Sequence, residues 1–169
     1  MTEATVLVRR AGHLTRITLN RPAKLNAITR EMTEGIRAAL LAAEQDGSSA
    51  VVIDGAGERG LSGGGDIREL AGGEPEAVEA FLRSEYAMDH LTATLGIPVV
   101  GIMDGITMGG GIGLTGHAPI RVVTERSRLA MPEVRIGLAP DVAGHLLLAR
   151  APGRLGEYLA LTGESMTGA

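Results

Sequence analysis

Hydrophobic and polar positions along the chain follow two different periods. Short apolar runs at residues 5–10 and 14–20, separated by Ala11-Gly12-His13, predict an antiparallel hairpin. Apolar residues then recur at helical spacing over residues 29–45, which predicts an amphipathic helix. Similar patterns predict strands at 50–54, 98–103, 120–125 and 127–131, and helices at 75–95, 141–150 and 154–161.

The alternation of strands and helices sets the expected fold class. Strands followed by helices, with mostly short connectors, predict an α/β fold with a largely parallel sheet. The chain has 169 residues, of which 44% are hydrophobic and 21% charged, so a single globular domain over residues 1–169 is expected.

The composition of the chain argues against several classes of partner and site. A net charge of −4 argues against nucleic acid or an anionic membrane surface as a partner. The chain has no Cys, and its 4 His residues show no ligand spacing, so neither a disulfide nor a metal site is expected. No apolar run is long enough for a membrane helix or a secretory signal, and we expect a cytoplasmic protein.

Glycine is concentrated in two clusters, at residues 55–65 and 108–116. Each cluster follows a predicted buried strand and precedes a helix. Backbone N–H groups at such junctions are unpaired and carry the positive end of the helix dipole, which suits a developing oxyanion. Two such loops that converge on one carbonyl would form an oxyanion hole. Tight turns without a chemical role are the alternative, and the pattern alone favours neither.

Two known motifs match residues inside these clusters, but neither has the neighbouring secondary structure that the motif requires. Residues 111–116 match the G-x-G-x-x-G loop of dinucleotide-binding proteins, but the strand predicted from residue 120 leaves no room for the helix that this loop requires. Residues 60–64 match the G-x-S-x-G nucleophile elbow, but the preceding strand ends too early, at Asp54. Neither a dinucleotide site nor a serine nucleophile is expected.

Carboxylates at three places are candidates for chemistry. Glu85 falls on the apolar face of the predicted 75–95 helix, with Asp89 one turn further, and an inward carboxylate is costly unless it is paired or functional. Glu133 directly follows a strand, at the sheet edge where ligands bind in α/β folds. A solvent-facing position is the alternative for Glu85 and for Glu133. Asp141 has the pattern of an ordinary helix N-cap.

Four ordered segments, at residues 19–28, 60–70, 105–117 and 129–144, resemble the conserved blocks of the crotonase superfamily, the enoyl-CoA hydratase/isomerase fold. The resemblance implies a β-β-α spiral that binds an acyl-CoA substrate and stabilises its thioester oxyanion. No cofactor is implied, because CoA enters as part of the substrate. The implied oxyanion donors are the N–H groups of Gly65 and Gly110. The residues implied to contact substrate or CoA are Ala23, Lys24, Leu25, Ala27, Gly63, Asp66 and Ile67.

The acidic residues indicate a subfamily. Hydratases carry catalytic Glu residues at the positions of Gly113 and Glu133, and Gly113 cannot serve. Segments 84–86, 130–133, 136–142 and 153–163 instead resemble the 3-hydroxyisobutyryl-CoA hydrolases. That resemblance implies Glu133, Asp141 and Glu85 as catalytic residues for hydrolysis of a short branched 3-hydroxyacyl-CoA. An enoyl-CoA hydratase or isomerase, and a weakly catalytic CoA-binding or assembly module, stay open as alternatives.

Members of this family continue beyond the point that matches residues 161–163, with helices that cover the active site and often mediate oligomerisation. We therefore expect the chain to correspond to an N-terminal portion, truncated before the C-terminal helical region. Because the surface under those helices would be apolar and exposed, we also expect a homo-oligomer. Hydrolysis by this chain is expected to be far weaker than hydrolysis by a full-length relative.

Overall fold

The computed structural model describes residues 3–71 and 73–168. Its strands are β1 (Val6–Ala11), β2 (Leu14–Leu19), β3 (Ala50–Gly55), β4 (Val99–Met103), β5 (Ile106–Met108), β6 (Ile120–Val123), β7 (Arg128–Ala130) and β8 (Met166–Thr167). Its helices are α1 (Arg30–Gln45), α2 (Ile67–Ala71), α3 (Pro75–Thr94), α4 (Gly110–Gly116), α5 (Gly144–Leu148) and α6 (Leu155–Thr162). Single 3-10 turns span Pro22–Lys24 and Glu133–Ile136.

The strands form two sheets. The larger sheet has the order β1-β2-β3-β4-β6, in which only the β1–β2 pair is antiparallel. The smaller sheet has the order β5-β7-β8, with β5 parallel to β7. The predicted α/β fold with a largely parallel sheet is confirmed, and so is the hairpin that opens it.

Helix α1 shows how the apolar pattern builds the core. The Thr29 hydroxyl caps it by accepting a hydrogen bond from the Met32 N–H at 3.3 Å. Met32, Ile36 and Leu40 recur at helical spacing and are fully buried in the main core cluster, which also takes side chains from β2 and β3. Among the described residues, no helix is both long and apolar enough to cross a membrane.

One predicted feature of the second half is wrong, and one helix there was not predicted. Helix α5 begins at Gly144, not at residue 141, and Ala143 precedes it with a left-handed φ of 55°. As expected, no helix lies between the second glycine cluster and β6, but the glycines themselves form α4, which the apolar pattern does not predict. Glycine is a poor helix former, so only tertiary packing stabilises this helix: all seven of its residues are buried.

Helix α4 packs directly onto β4, and this contact places the second glycine loop. A Cβ on Gly101 of β4 would lie 2.7 Å from the Thr115 Cβ, closer than carbon atoms can approach. Thr115 is fully buried, and its hydroxyl donates to the Gly111 carbonyl at 2.7 Å. The absence of a side chain at Gly101 therefore sets the distance between helix and sheet.

We expect Gly101→Ala to destabilise the protein by about 1–3 kcal/mol, because the added methyl group overpacks this contact. Gly35→Ala is the matched control: its Cβ would lie at an ordinary 3.7 Å from Val6, inside α1. That change should stabilise the protein by up to about 1 kcal/mol through helix propensity. Urea unfolding followed by circular dichroism measures both changes, and equal effects of the two substitutions would contradict the packing argument.

Candidate active site

Backbone hydrogen bonds bring the two glycine loops together. The Ser62 N–H donates to the Ile106 carbonyl at 3.2 Å, and the Met108 N–H donates to the Ser62 carbonyl at 3.0 Å. These two bonds form a parallel bridge between Ser62 and Thr107, at the start of the second loop. The two glycine loops therefore converge, although 45 positions separate Ser62 from Thr107 in the sequence.

The N–H groups of Gly65 and Gly110 lie side by side. Gly65 forms a parallel bridge with Ile28 in which Ile28 bonds to the Gly64 carbonyl and the Asp66 N–H, so the N–H of Gly65 itself points away from Ile28. Gly110 is the first residue of α4, where an N–H has no partner within the helix. A Cβ on Gly110 would lie 3.4 Å from the Gly65 nitrogen. Two adjacent donors of this kind can hold an oxyanion.

Gly109 sets the direction of the second donor. Its φ of 49° and ψ of −119° form a combination that residues with a side chain avoid. Its N–H donates to the carbonyl of Ala130 at 3.1 Å, which ties the loop to the end of β7. Because Glu133 lies only three residues after Ala130, the same contact brings this Glu toward the loop.

Three buried carboxyl groups lie against the glycines of this segment. A Cβ on Gly109 would lie 2.8 Å from Glu133 Oε1, and one on Gly113 would lie 2.6 Å from Asp89 Oδ2. A Cβ on Gly110 would overlap Glu85 Oε1. Glu85, Asp89 and Glu133 are 3%, 5% and 7% exposed. The solvent-facing alternative is therefore wrong for both Glu85 and Glu133, and the acids fit only because these positions have no side chains.

Asp141 approaches the same cluster from the segment before α5. Its Oδ2 accepts a hydrogen bond from the Tyr86 hydroxyl at 3.0 Å, and the residue is half-buried. The N-cap interpretation of Asp141 is wrong, because its carbonyl, not its side chain, accepts from the Gly144 N–H at 2.6 Å. The structure thus joins Asp141 to α3, where Glu85 and Asp89 are located.

Burial and mutual repulsion raise the pKa values of these acids. Desolvation, followed by the charges of Asp141 and Glu133, raises the pKa of Glu85 to about 8. Burial and then the charge of Glu85 hold the pKa of Asp89 well above its usual value, and burial is also the main cause that raises the pKa of Glu133. Glu85 is therefore mainly protonated at neutral pH, and the pKa of Asp89 is shifted in the same direction.

Several carboxyl oxygens of the cluster have no hydrogen-bond partner among the described residues: Glu85 Oε1, Glu133 Oε2 and both oxygens of Asp89. None of the ion pairs within residues 3–71 and 73–168 involves these acids. Buried polar groups normally find partners, so unpaired ones are characteristic of a functional site. The described part of the chain contains no cluster of side chains suited to hold a metal ion.

The predicted CoA segment lies beside the first glycine loop. The Gly63 N–H donates to the Leu25 carbonyl at 2.8 Å, and Leu25 packs over Gly63. Arg21 bonds to the Ala27 carbonyl at 2.5 Å and pairs with Asp66 at 3.0 Å. Leu25, Ala27, Gly63 and Asp66 are therefore brought together, whereas Ala23, Lys24 and Ile67 are exposed and not part of these contacts.

Sequence reasoning missed the residue that joins this segment to the glycine loop. Asn26 is 1% exposed, and its side chain donates to the carbonyls of Ala56 and Gly60 and accepts from the Arg21 N–H. Its φ of 50° lies in the left-handed region, which Asn adopts more readily than most residues. The Asn inside the first conserved block was the only signal for this role.

A cavity of about 480 Å³ adjoins the acids. Tyr86, Asp89 and Asp141 line one part of its wall, and Val142 and Leu146 contribute apolar surface. A pocket of this size, mostly apolar with a few polar groups, is typical of a site for a small molecule or an acyl chain.

Comparisons with known proteins agree with this geometry. The model of the enoyl-CoA hydratase/isomerase family matches residues 14–169. The mitochondrial 3-hydroxyisobutyryl-CoA hydrolase of Mus musculus is 44% identical over 169 residues, which cover 98% of this chain and 44% of that protein. The small ribosomal subunit protein mS47 of Neurospora crassa is 43% identical, over 96% of this chain and 34% of that protein.

A solved structure is equally similar. The crystal structure of a carnitinyl-CoA dehydratase from Mycobacterium thermoresistibile superposes with a TM-score of 0.95 at 43% identity, over 98% of this chain and 50% of that one. The expected family and fold class are confirmed by these matches. The chain spans half the length or less of the relatives described here.

The raised pKa of Glu85 predicts how stability depends on pH. Between about pH 4.5 and about pH 8, Glu85 keeps its proton when folded and loses it when unfolded, so the free energy of unfolding should fall by about 1.4 kcal/mol per pH unit for this group. The amide in Glu85→Gln cannot ionise, so this substitution should remove the contribution of Glu85 to the pH dependence of unfolding. The contributions of Asp89 and Glu133 should remain. Urea denaturation across this pH range measures the slope, and an unchanged slope in the variant would contradict the assignment.

Proposed function

The chain belongs to the enoyl-CoA hydratase/isomerase family, and we propose that it hydrolyses the thioester of a short branched 3-hydroxyacyl-CoA, of the 3-hydroxyisobutyryl type. The observation that carries this proposal is the position of the Glu133 carboxyl group, directly against the loop that presents the N–H of Gly110. The similarity to the 3-hydroxyisobutyryl-CoA hydrolase of Mus musculus supports the same reaction.

The thioester oxygen would bind between the N–H groups of Gly65 and Gly110. Negative charge develops on this oxygen when a nucleophile adds to the thioester carbon. Donors that are already in place stabilise that charge without reorganisation, and this stabilisation is typically the largest single contribution to acyl transfer. The CoA part would extend past Leu25 and Ala27, which lie beside the first loop.

Glu133 would supply the nucleophile by one of two routes. In the first, a carboxylate oxygen bonds to the thioester carbon, the C–S bond breaks, and water later cleaves the resulting anhydride. In the second, Glu133 takes a proton from a water molecule as the water oxygen attacks the same carbon. Both routes need Glu133 ionised, and both release CoA as a thiol.

The neighbouring acids would manage protons and orient the acyl group. Glu85 is protonated at neutral pH, since burial raises its pKa to about 8, and it can donate a proton within the cluster or share one with Glu133. Asp141 is held by the Tyr86 hydroxyl and can accept a hydrogen bond from the 3-hydroxyl of the substrate. These roles divide the acids into one nucleophile or base and two supporting groups.

A second candidate function is the addition or removal of water at an enoyl-CoA double bond. Such a reaction needs both an acid and a base. The specific observation in its favour is Asp89, whose carboxyl group lies 2.6 Å from where a side chain at Gly113 would begin. Asp89 would then provide the acid and Glu133 the base. The similarity to the structure of a carnitinyl-CoA dehydratase also supports this second candidate.

We expect Glu133→Gln to reduce the rate of CoA thiol release from 3-hydroxyisobutyryl-CoA by about 10²- to 10⁴-fold, because the amide neither attacks nor takes a proton. Glu125→Gln, at an exposed turn, is the matched control and should leave the rate unchanged. A thiol-reactive dye measures the release. An undiminished rate in Glu133→Gln would remove this residue from the proposed role.

The same assay separates the two candidate functions. With 3-hydroxyisobutyryl-CoA, a hydrolase releases free thiol, whereas a hydratase forms or consumes an enoyl group and releases none. Incubation with crotonyl-CoA should leave its enoyl absorbance unchanged if hydrolysis is the function. Loss of that absorbance without thiol release would establish hydration in place of hydrolysis.

A further inference from the structure

Asp89 is the acid of the cluster to which the proposed hydrolysis assigns no role. It follows Glu85 by one turn of α3 and is 5% exposed. Neither of its carboxyl oxygens has a hydrogen-bond partner among the described residues. Burial of such a group costs free energy, so a ligand that hydrogen-bonds to it gains affinity from doing so.

Asp89 lies between helix α4 and the cavity. Asp89 Oδ2 and the Cβ of Val142 would each lie 2.6 Å from a Cβ on Gly113, and both residues line the cavity of about 480 Å³. Gly113 lies about one helical turn after Gly110. Through Asp89 and Val142, the cavity therefore adjoins the helix that begins with the proposed oxyanion donor Gly110.

We propose that Asp89 determines specificity, by forming a hydrogen bond with the hydroxyl group of the acyl chain and so selecting hydroxylated acyl-CoA thioesters over plain aliphatic ones. This proposal rests on the acyl-CoA function proposed above. A plain chain would cover Asp89 with carbon atoms and leave its carboxyl group unpaired. A hydroxyl group can both donate to and accept from the carboxyl group.

The charges around Asp89 favour a neutral partner of this kind. Burial, followed by the charges of Glu85 and Asp141 that face it, holds its pKa well above the usual value and so favours the protonated form, which can donate a hydrogen bond. The ion pairs of the described residues supply no cation to it. His117, which also lines the cavity, bonds to the Val142 carbonyl at 2.9 Å.

Binding measurements test this proposal without depending on thioester cleavage. In a Glu133→Gln background, isothermal titration would give the dissociation constants of 3-hydroxyisobutyryl-CoA and isobutyryl-CoA, which differ only in the hydroxyl group. Asp89→Val should reduce the preference for the hydroxylated ligand by about 10-fold, as expected for loss of one buried hydrogen bond. Asp89→Asn keeps a donor and an acceptor and should retain the preference within about 3-fold.

Two further variants control for folding and for general effects on α3. Asp89→Ala adds no atom next to Gly113 and should reproduce the result of Asp89→Val. Thr92→Val removes another buried polar group one turn further, whose hydroxyl donates to the Met88 carbonyl, and should leave the preference unchanged.

The possible outcomes distinguish the two proposals. The role of Asp89 would be overturned if Asp89→Val and Asp89→Ala kept the preference for the hydroxylated ligand. It would also be overturned if Asp89→Asn lost as much of that preference as Asp89→Val. Neither result would bear on the proposed hydrolysis. Selective binding by a protein with Glu133 intact that releases no thiol would overturn hydrolysis alone. If the protein with Asp89 intact bound neither thioester, both the role of Asp89 and the proposed hydrolysis would be overturned.

Discussion

The close approach of α4 to buried carboxyl groups is the constraint on which this site depends. Glu133, Glu85 and Asp89 lie against Gly109, Gly110 and Gly113, where any side chain would collide with a carboxyl oxygen. The glycines that admit the acids also leave the N–H of Gly110 next to that of Gly65. Donors and acids are therefore parts of one packing arrangement, and a residue with a side chain at these positions would disturb both.

This arrangement lowers the stability of the protein locally. Unpaired buried acids are unfavourable, and a helix that contains four glycines among its seven residues has little intrinsic stability. The rest of the fold compensates through a continuous core in which Ile17, Ile36 and Ile53 are fully buried. Sites that hold groups in unfavourable environments commonly depend on a scaffold in this way.

The sequence predicted those features that local patterning determines. Periodicity placed α1, α3 and the strands of the parallel sheet nearly at their observed bounds, because their apolar faces pack in regular layers. It could not predict α4, whose glycines form a helix only between β4 and α3. The orientation of Asp141 toward Tyr86 and the buried contacts of Asn26 likewise depend on segments far apart in sequence.

The site's chemistry depends on the distribution of protons among the acids more than on which acids are present. Glu85 and Asp89 lie deepest and face one another along α3, so both favour the protonated state, whereas Glu133 must ionise to act as nucleophile or base. Hydrolysis and hydration would use the same donors for the thioester oxygen. They differ in whether a protonated acid reaches the third carbon of the acyl chain, and both Asp89 and Asp141 line the cavity that would receive that carbon. The positions and protonation of these few carboxyl groups thus separate two reactions that one scaffold can support.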